Sequence, residues 1–110
     1  MPIEFRFTRP CVNDIKQLRK RFRLIDRDID ALRNDFRRVA NRGVPISGYG
    51  IELYKARLSN RSAHRGKSGG FRAIYHPDRE GRFIFIHIYS KTDQNDASAS
   101  EIQGRIKDIE

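Results

Sequence analysis

From Val12 to Val39 apolar side chains recur at steps of three and four without a break: Val12, Ile15, Leu18, Phe22, Ile25, Ile29, Leu32, Phe36 and Val39. An α-helix brings residues so spaced onto one face, so this stretch is amphipathic helix with an apolar side to bury. A single helix running to Gly43 satisfies the pattern, but it would overhang a domain of 110 residues. A hairpin of two helices bent near Arg23–Leu24 is the preferred reading, although no Gly or Pro marks the bend.

The flanking segments read as strands. Residues 3–7 alternate, with Ile3, Phe5 and Phe7 on one side and Glu4 and Arg6 on the other. Thr8 is placed to cap the first helix, with Pro10 tolerated in its first turn. GVPISGYG (43–50) reads as a loop. Strands follow over 51–59, 70–76 and 82–91, the last containing FIFIHIY. NRSAHRGKSGG (60–70) is a glycine-rich basic loop, and PDREG (77–81) is a hairpin turn. Ser98 and Glu101 form an S-x-x-E capping box opening a terminal helix, with Ile102, Ile106 and Ile109 on one side and Gly104 weakening it. Residues 1–110 read as a single domain without repeats.

The net charge of +9 points to a polyanionic partner: nucleic acid, an acidic protein or an anionic membrane surface. A membrane role needs an almost purely basic polar helix face, and Asp26, Asp28, Asp30 and Asp35 argue against one. The single cysteine, Cys11, allows no internal disulfide and no thiolate cluster for zinc. With no signal-like or membrane-length apolar run, a cytoplasmic location is expected.

Strand alternation separates two sheet faces. Tyr54, Ala56 and Leu58 oppose Lys55 and Arg57. Phe71, Ala73 and Tyr75 oppose Arg72, Ile74 and His76. Ile84, Ile86 and Ile88 oppose Phe85, His87, Tyr89 and Lys91. Giving the aliphatic sets to the helix pair buries Ile84, Ile86 and Ile88 beneath Ile25, Ile29, Leu32 and Phe36. Lys55, Arg57, Arg72, His87, Tyr89 and Lys91 are then left on an open, basic face, with Arg61, Arg65 and Lys67 reaching over it from the loop.

GKS at 66–68 is not a P-loop: the required glycine five positions earlier is Arg61, and a strand rather than a helix follows. His64 reads as an exposed loop residue and His76 as a strand-end residue. The arginine-rich helix surface (Arg19, Arg33, Arg37 and neighbours) reads as solvated, with a capacity to hold ribosomal RNA by charge.

GKSGGFRAIYH (66–76) and FIHIYSKTDQNDASASEI (85–102) resemble the RelE/ParE superfamily of bacterial toxins, and most closely its HigB-like RelE branch. The resemblance implies an α+β, RelE-like fold: a small antiparallel-dominated sheet, an N-terminal helix pair on one face and a C-terminal helix. It further implies a toxin of a type II toxin–antitoxin system, a ribosome-dependent endoribonuclease that cuts mRNA without metal or cofactor. Carried over by position, Lys55, Arg57, Lys67, Arg72, Tyr89 and Lys91 become catalytic; Arg61, Arg65 and His87, which lie beside them, are read as binding RNA, and whether His87 or a Lys serves as acid or base stays open. The implied partners are a cognate antitoxin of helix-turn-helix type, the ribosome with its mRNA, and operator DNA through the antitoxin complex. Two alternatives stay open: a ParE-like inhibitor of DNA gyrase on the same fold, and a non-toxic basic module binding RNA or DNA.

Overall fold

The computed structural model describes residues 3–38 and 43–109. The elements in chain order are β1 (Glu4–Phe7), α1 (Arg9–Arg21), α2 (Ile25–Arg38), β2 (Val44–Ile46), β3 (Leu53–Leu58), β4 (Phe71–Pro77), β5 (Arg82–Ser90) and α3 (Ala99–Ile106). The strands form one sheet in the order β1-β5-β4-β3-β2, with β1 parallel to β5 and the remaining pairs antiparallel. This is the α+β architecture expected. One correction concerns 43–50: Val44–Ile46 is a strand rather than loop. It lies at the sheet edge, where a proline such as Pro45 is tolerated because no further strand needs its missing N–H.

The helix hairpin forms as its sequence directs. Thr8 Oγ1 accepts the Cys11 N–H at 3.3 Å, and Pro10 sits in the first turn. The break falls at 22–24 and is made by a distant partner. Phe22 leaves helical geometry (φ −125°, ψ 86°), and the Leu24 N–H is taken at 2.9 Å by Ser62 Oγ from the β3–β4 loop. Val39, the last residue of the apolar series, lies outside the described residues.

Both helices pack on one sheet face. Cys11, Ile15 and Leu18 of α1 and Ile25, Ile29, Leu32 and Phe36 of α2 cover Ala56, Leu58, Phe71, Ala73, Tyr75, Phe85 and Ile88. Phe36 stands edge-on to Phe83 and Tyr75, ring centroids 5.0 and 5.3 Å apart. Such pairs add about 0.5–1.5 kcal/mol each beyond the area they bury.

The assignment of Ile84, Ile86 and Ile88 to one helix-covered face is overturned. Tyr75 pairs with Phe85 but Ile74 pairs with His87, so β5 carries one extra residue, Ile86, against β4. This bulge reverses the alternation. Before it, Phe83 and Phe85 face the helices and Ile84 faces away; after it, Ile88 faces the helices while His87 and Tyr89 face away. Ile84 and Ile86 are nevertheless buried. They join Leu53, Ile74 and Ile102 in a second apolar cluster on the opposite side, completed by Ile106 and Ile109. Half of the face expected to be open is thus roofed by α3, which starts with the capping box read from Ser98 and Glu101.

The bulge lies where β5 has run past β1, and its exposed backbone is satisfied from outside the sheet. Arg105 of α3 donates to Ile86 O at 2.8 Å, and Ile88 N–H donates to Asp14 Oδ2 at 3.2 Å. The Asp14 carboxylate also takes both terminal nitrogens of Arg105 and Nδ1 of His87. Burial pushes the Asp14 carboxyl up, but the hydrogen bonds from Arg105 and His87 outweigh it and hold its pKa below the ordinary value. One side chain on α1 therefore ties together α1, β5 and α3.

Candidate functional site

The register sets three side chains in a row across the sheet face opposite α1 and α2, with Arg57 exposed and Arg72 and Tyr89 buried. Arg57 on β3 pairs with Arg72 on β4, which pairs with Tyr89 on β5. In the next row Lys55, Ile74 and His87 are aligned the same way. All of these point away from α1 and α2 because they alternate with Ala56, Ala73 and Ile88 of the helix-facing core. The bulge is what delivers Tyr89 and His87 to this face while Phe85 remains in the core.

Arg72 is 6% exposed, and its guanidinium is bound to backbone. Nη1 donates to Lys67 O at 2.9 Å and to Phe71 O at 3.2 Å, while Nη2 donates to Ser68 O at 2.9 Å. Burial and then the charge of Arg57 lower its pKa, and Tyr89 opposes that shift. Lys91 Nζ also donates to Ser68 O, at 3.3 Å. Arg72 of β4 and Lys91, just past β5, therefore shape the loop that carries Lys67. Gly70 makes the junction possible, since a Cβ there would run into Leu58 O and the Asn60 backbone.

Arg57 is exposed and has no hydrogen-bond or ion-pair partner among the described residues. Lys67 does not reach over the sheet: its Nζ pairs with Asp35 of α2 at 3.1 Å. It shares a cavity of about 120 Å³ with Lys55 and Arg57 at the β3 edge. Arg61 is likewise turned to α2, where both its N–H and its guanidinium bond the buried Asp28. Arg65 closes the loop through paired backbone bonds with Asn60, leaving an exposed side chain. The loop thus folds toward α2 because its cations meet Asp28 and Asp35 there.

His87 is buried between two acids. Nδ1 donates to Asp14 at 2.9 Å, and Nε2 has no hydrogen-bond partner among the described residues, with Glu101 Oε2 at 3.6 Å. It borders a cavity of about 360 Å³ lined also by Arg21, Tyr89, Asp93, Gln94 and Arg105.

Asp96, between β5 and α3, joins this cluster without having been picked out from the sequence. Its Oδ1 accepts from Lys55 Nζ at 3.1 Å, from Tyr89 Oη at 3.1 Å and from Ala97 N at 2.9 Å. Burial, then the Asp96 charge and hydrogen bond, push the Tyr89 phenol up to about 12. No local pattern marks Asp96, whose partners lie on β3 and β5. The signal that comes nearest is the capping box, which places it just ahead of Ser98 at the start of α3.

Among the described residues no three His, Cys, Asp or Glu side chains come together as metal ligands, and no helix is long and apolar enough to cross a membrane. The described residues form a small basic α+β domain with cationic side chains and a tyrosine on one sheet face. Residues 16–108 match the family model described as the RelE toxin of the RelE/RelB toxin–antitoxin system. The chain belongs to the RelE toxin family, and membership implies a cognate antitoxin as partner. No curated protein matches it.

Proposed function

We propose that this toxin is a ribosome-dependent, metal-independent endoribonuclease of the HigB-like branch that cuts mRNA and so halts translation in the cytoplasm. The observation that carries this reading is the row Arg57, Arg72 and Tyr89, with Lys55 beside it, on the sheet face away from α1 and α2, where Arg57 is exposed and Arg72 and Tyr89 are buried behind it.

The reaction is attack of a ribose 2′-oxygen on the adjacent phosphate. The bond from phosphorus to the 5′-oxygen breaks, leaving a cyclic phosphate and a 5′-hydroxyl. It needs a base for the 2′-proton, cations for the charged phosphorane and an acid for the 5′-oxygen. Arg57, with its guanidinium unengaged, is the clamp for the phosphorane. Arg72 and Lys91 hold the loop beside the clamp and lend charge. Lys55 and Tyr89 are the groups that carry exchangeable protons where the phosphate would lie. Lys67 stands at the margin, its charge shared with Asp35. Arg61 and Arg65 extend the basic surface toward RNA flanking the cut, while His87, buried beside Tyr89 with ring centroids 5.2 Å apart, packs against it rather than meeting RNA. The helix-turn-helix antitoxin is expected to cover the site, displace α3 or grip the helix pair, and operator DNA is reached through that complex.

The test is to incubate programmed ribosomes with the protein at constant magnesium and map new mRNA 5′ ends. Cleavage at defined positions, independent of any metal carried by the protein, is the expected result. Intact mRNA together with blocked gyrase supercoiling would move the protein to the ParE-like reading instead.

A further inference from the structure

Lys55 and Tyr89 sit on strands separated by β4, so neighbouring-strand spacing alone leaves their backbones about 10 Å apart. Their functional atoms nevertheless converge on a single oxygen, Asp96 Oδ1, which each reaches at 3.1 Å. We propose that Asp96 is a positioning residue of this site, drawing the Lys55 ammonium and the Tyr89 hydroxyl to one point and fixing the direction of the hydroxyl proton. The inference rests on the nuclease reading above and adds to it a residue from outside the sheet.

Asp96 is itself held. Oδ1 takes the Ala97 N–H at 2.9 Å, and Gln94 Nε2 bonds both Asp96 O and Glu101 Oε1, at 3.0 and 3.2 Å. Glu101 closes the capping box of α3, and α3 is docked through Ile102 and the Arg105–Asp14 pair. The aspartate thus occupies a fixed place relative to β3 and β5. Lysine is a flexible point charge with several rotamers to lose, so an anion that selects one of them places the ammonium before substrate arrives. Burial first, and then the same anion, hold the phenol protonated at neutral pH, so Tyr89 enters the reaction as a hydrogen-bond donor rather than as a base.

Asp96→Ala removes both contacts, whereas Asp96→Asn keeps an acceptor oxygen and removes the charge. With Lys55 and Tyr89 released, kcat should fall about 10²-fold, the cost typical of misplaced catalytic groups. KM should not worsen, because a negative charge has left an RNA-binding face. Asp96→Asn should recover part of the rate. A purely packing role would instead move Tm and KM together, and a role in merely occupying the phosphate site would raise kcat/KM; either result overturns the proposal.

An independent readout is the absorbance titration of Tyr89, identified by its loss in Tyr89→Phe. Its midpoint should move down from about 12 in Asp96→Ala. Arg72 faces Tyr89 from β4 and His87 shares its strand. Asp14 and Arg21 of α1, Glu101 and Arg105 of α3, and Asp93 line the adjoining cavity. All of these are unchanged in the variant. An unmoved midpoint sinks the inference by itself. If wild-type protein cuts and Asp96→Ala cuts with the same kcat, the inference fails while the nuclease reading stands. If wild-type protein does not cut ribosome-bound mRNA, both fall, and the titration still reports whether the contact exists.

Discussion

Asp14 and Arg105 stand 91 positions apart in the chain and meet in a two-pronged ion pair, Nη1 to Oδ2 at 2.7 Å and Nη2 to Oδ1 at 2.8 Å. Through it the first helix holds the last one over the sheet, and the bulge of β5 is sealed between them. Asp14→Ala leaves a largely enclosed guanidinium without its counter-charge, which costs roughly 3 kcal/mol. Urea denaturation should show that loss, and hydrogen exchange should show α3 opening before the rest of the domain.

The same pair sets an acid limit. The Asp14 pKa is depressed in the folded protein, so its contribution is present above the unfolded aspartate value of about 4 and is lost as pH falls through the folded value. Stability measured against pH should decline on the acid side in the wild type and decline less in Asp14→Asn. Equal acid sensitivity of the two proteins would refute this role.

Tyr89 sets the opposite limit. Its phenol is raised to about 12 in the folded state against about 10 unfolded, so the unfolded chain loses that proton first. The stabilisation is whole below pH 10 and disappears as pH rises toward 12. Tyr89→Phe should lack this alkaline decline, and its mRNA cleavage should be slowed because the ring remains and the hydroxyl does not.

Arg72 is tested by Arg72→Lys and Arg72→Ala. A lysine carries the charge but lacks the fork that spans Lys67 O, Phe71 O and Ser68 O. Both variants should therefore loosen residues 66–69 to limited proteolysis and cut turnover by about 10²–10³. A lysine variant with wild-type turnover and an intact loop would show that charge alone is needed.

Gly70→Ala forces a methyl group against Leu58 O and the Asn60 backbone at the entry to β4. Overpacking of this kind costs about 1–3 kcal/mol. Thermal unfolding should register it, and cleavage should fall with it because Arg57 and Arg72 share that strand pair. Gly66→Ala, with open space around it, is the control.

Much of this protein is legible from local pattern. The three- and four-residue steps from Ile15 onward give the helix face that is packed on the sheet, although Val12 itself stays exposed, Thr8 and Ser98 mark the helix starts, and the turn at 77–81 sets a hairpin. Those signals act between residues a few positions apart, and short-range sterics and hydrogen bonding determine them. The alternation in β3 and β4 likewise placed Lys55, Arg57 and Arg72 opposite the helices. What only the tertiary structure decided depends on partners far along the chain. The bulge at Ile86 comes from pairing with β4 and from edge groups supplied by Asp14 and Arg105, so it reverses the β5 faces without any break in the run FIFIHIY. The bend at 22–24 needs Ser62, the course of the 60–70 loop needs Asp28 and Asp35, and Asp96 gains its place from α3. Two-residue alternation says which side chains share a face only while register is unbroken, and register belongs to the sheet rather than to the strand.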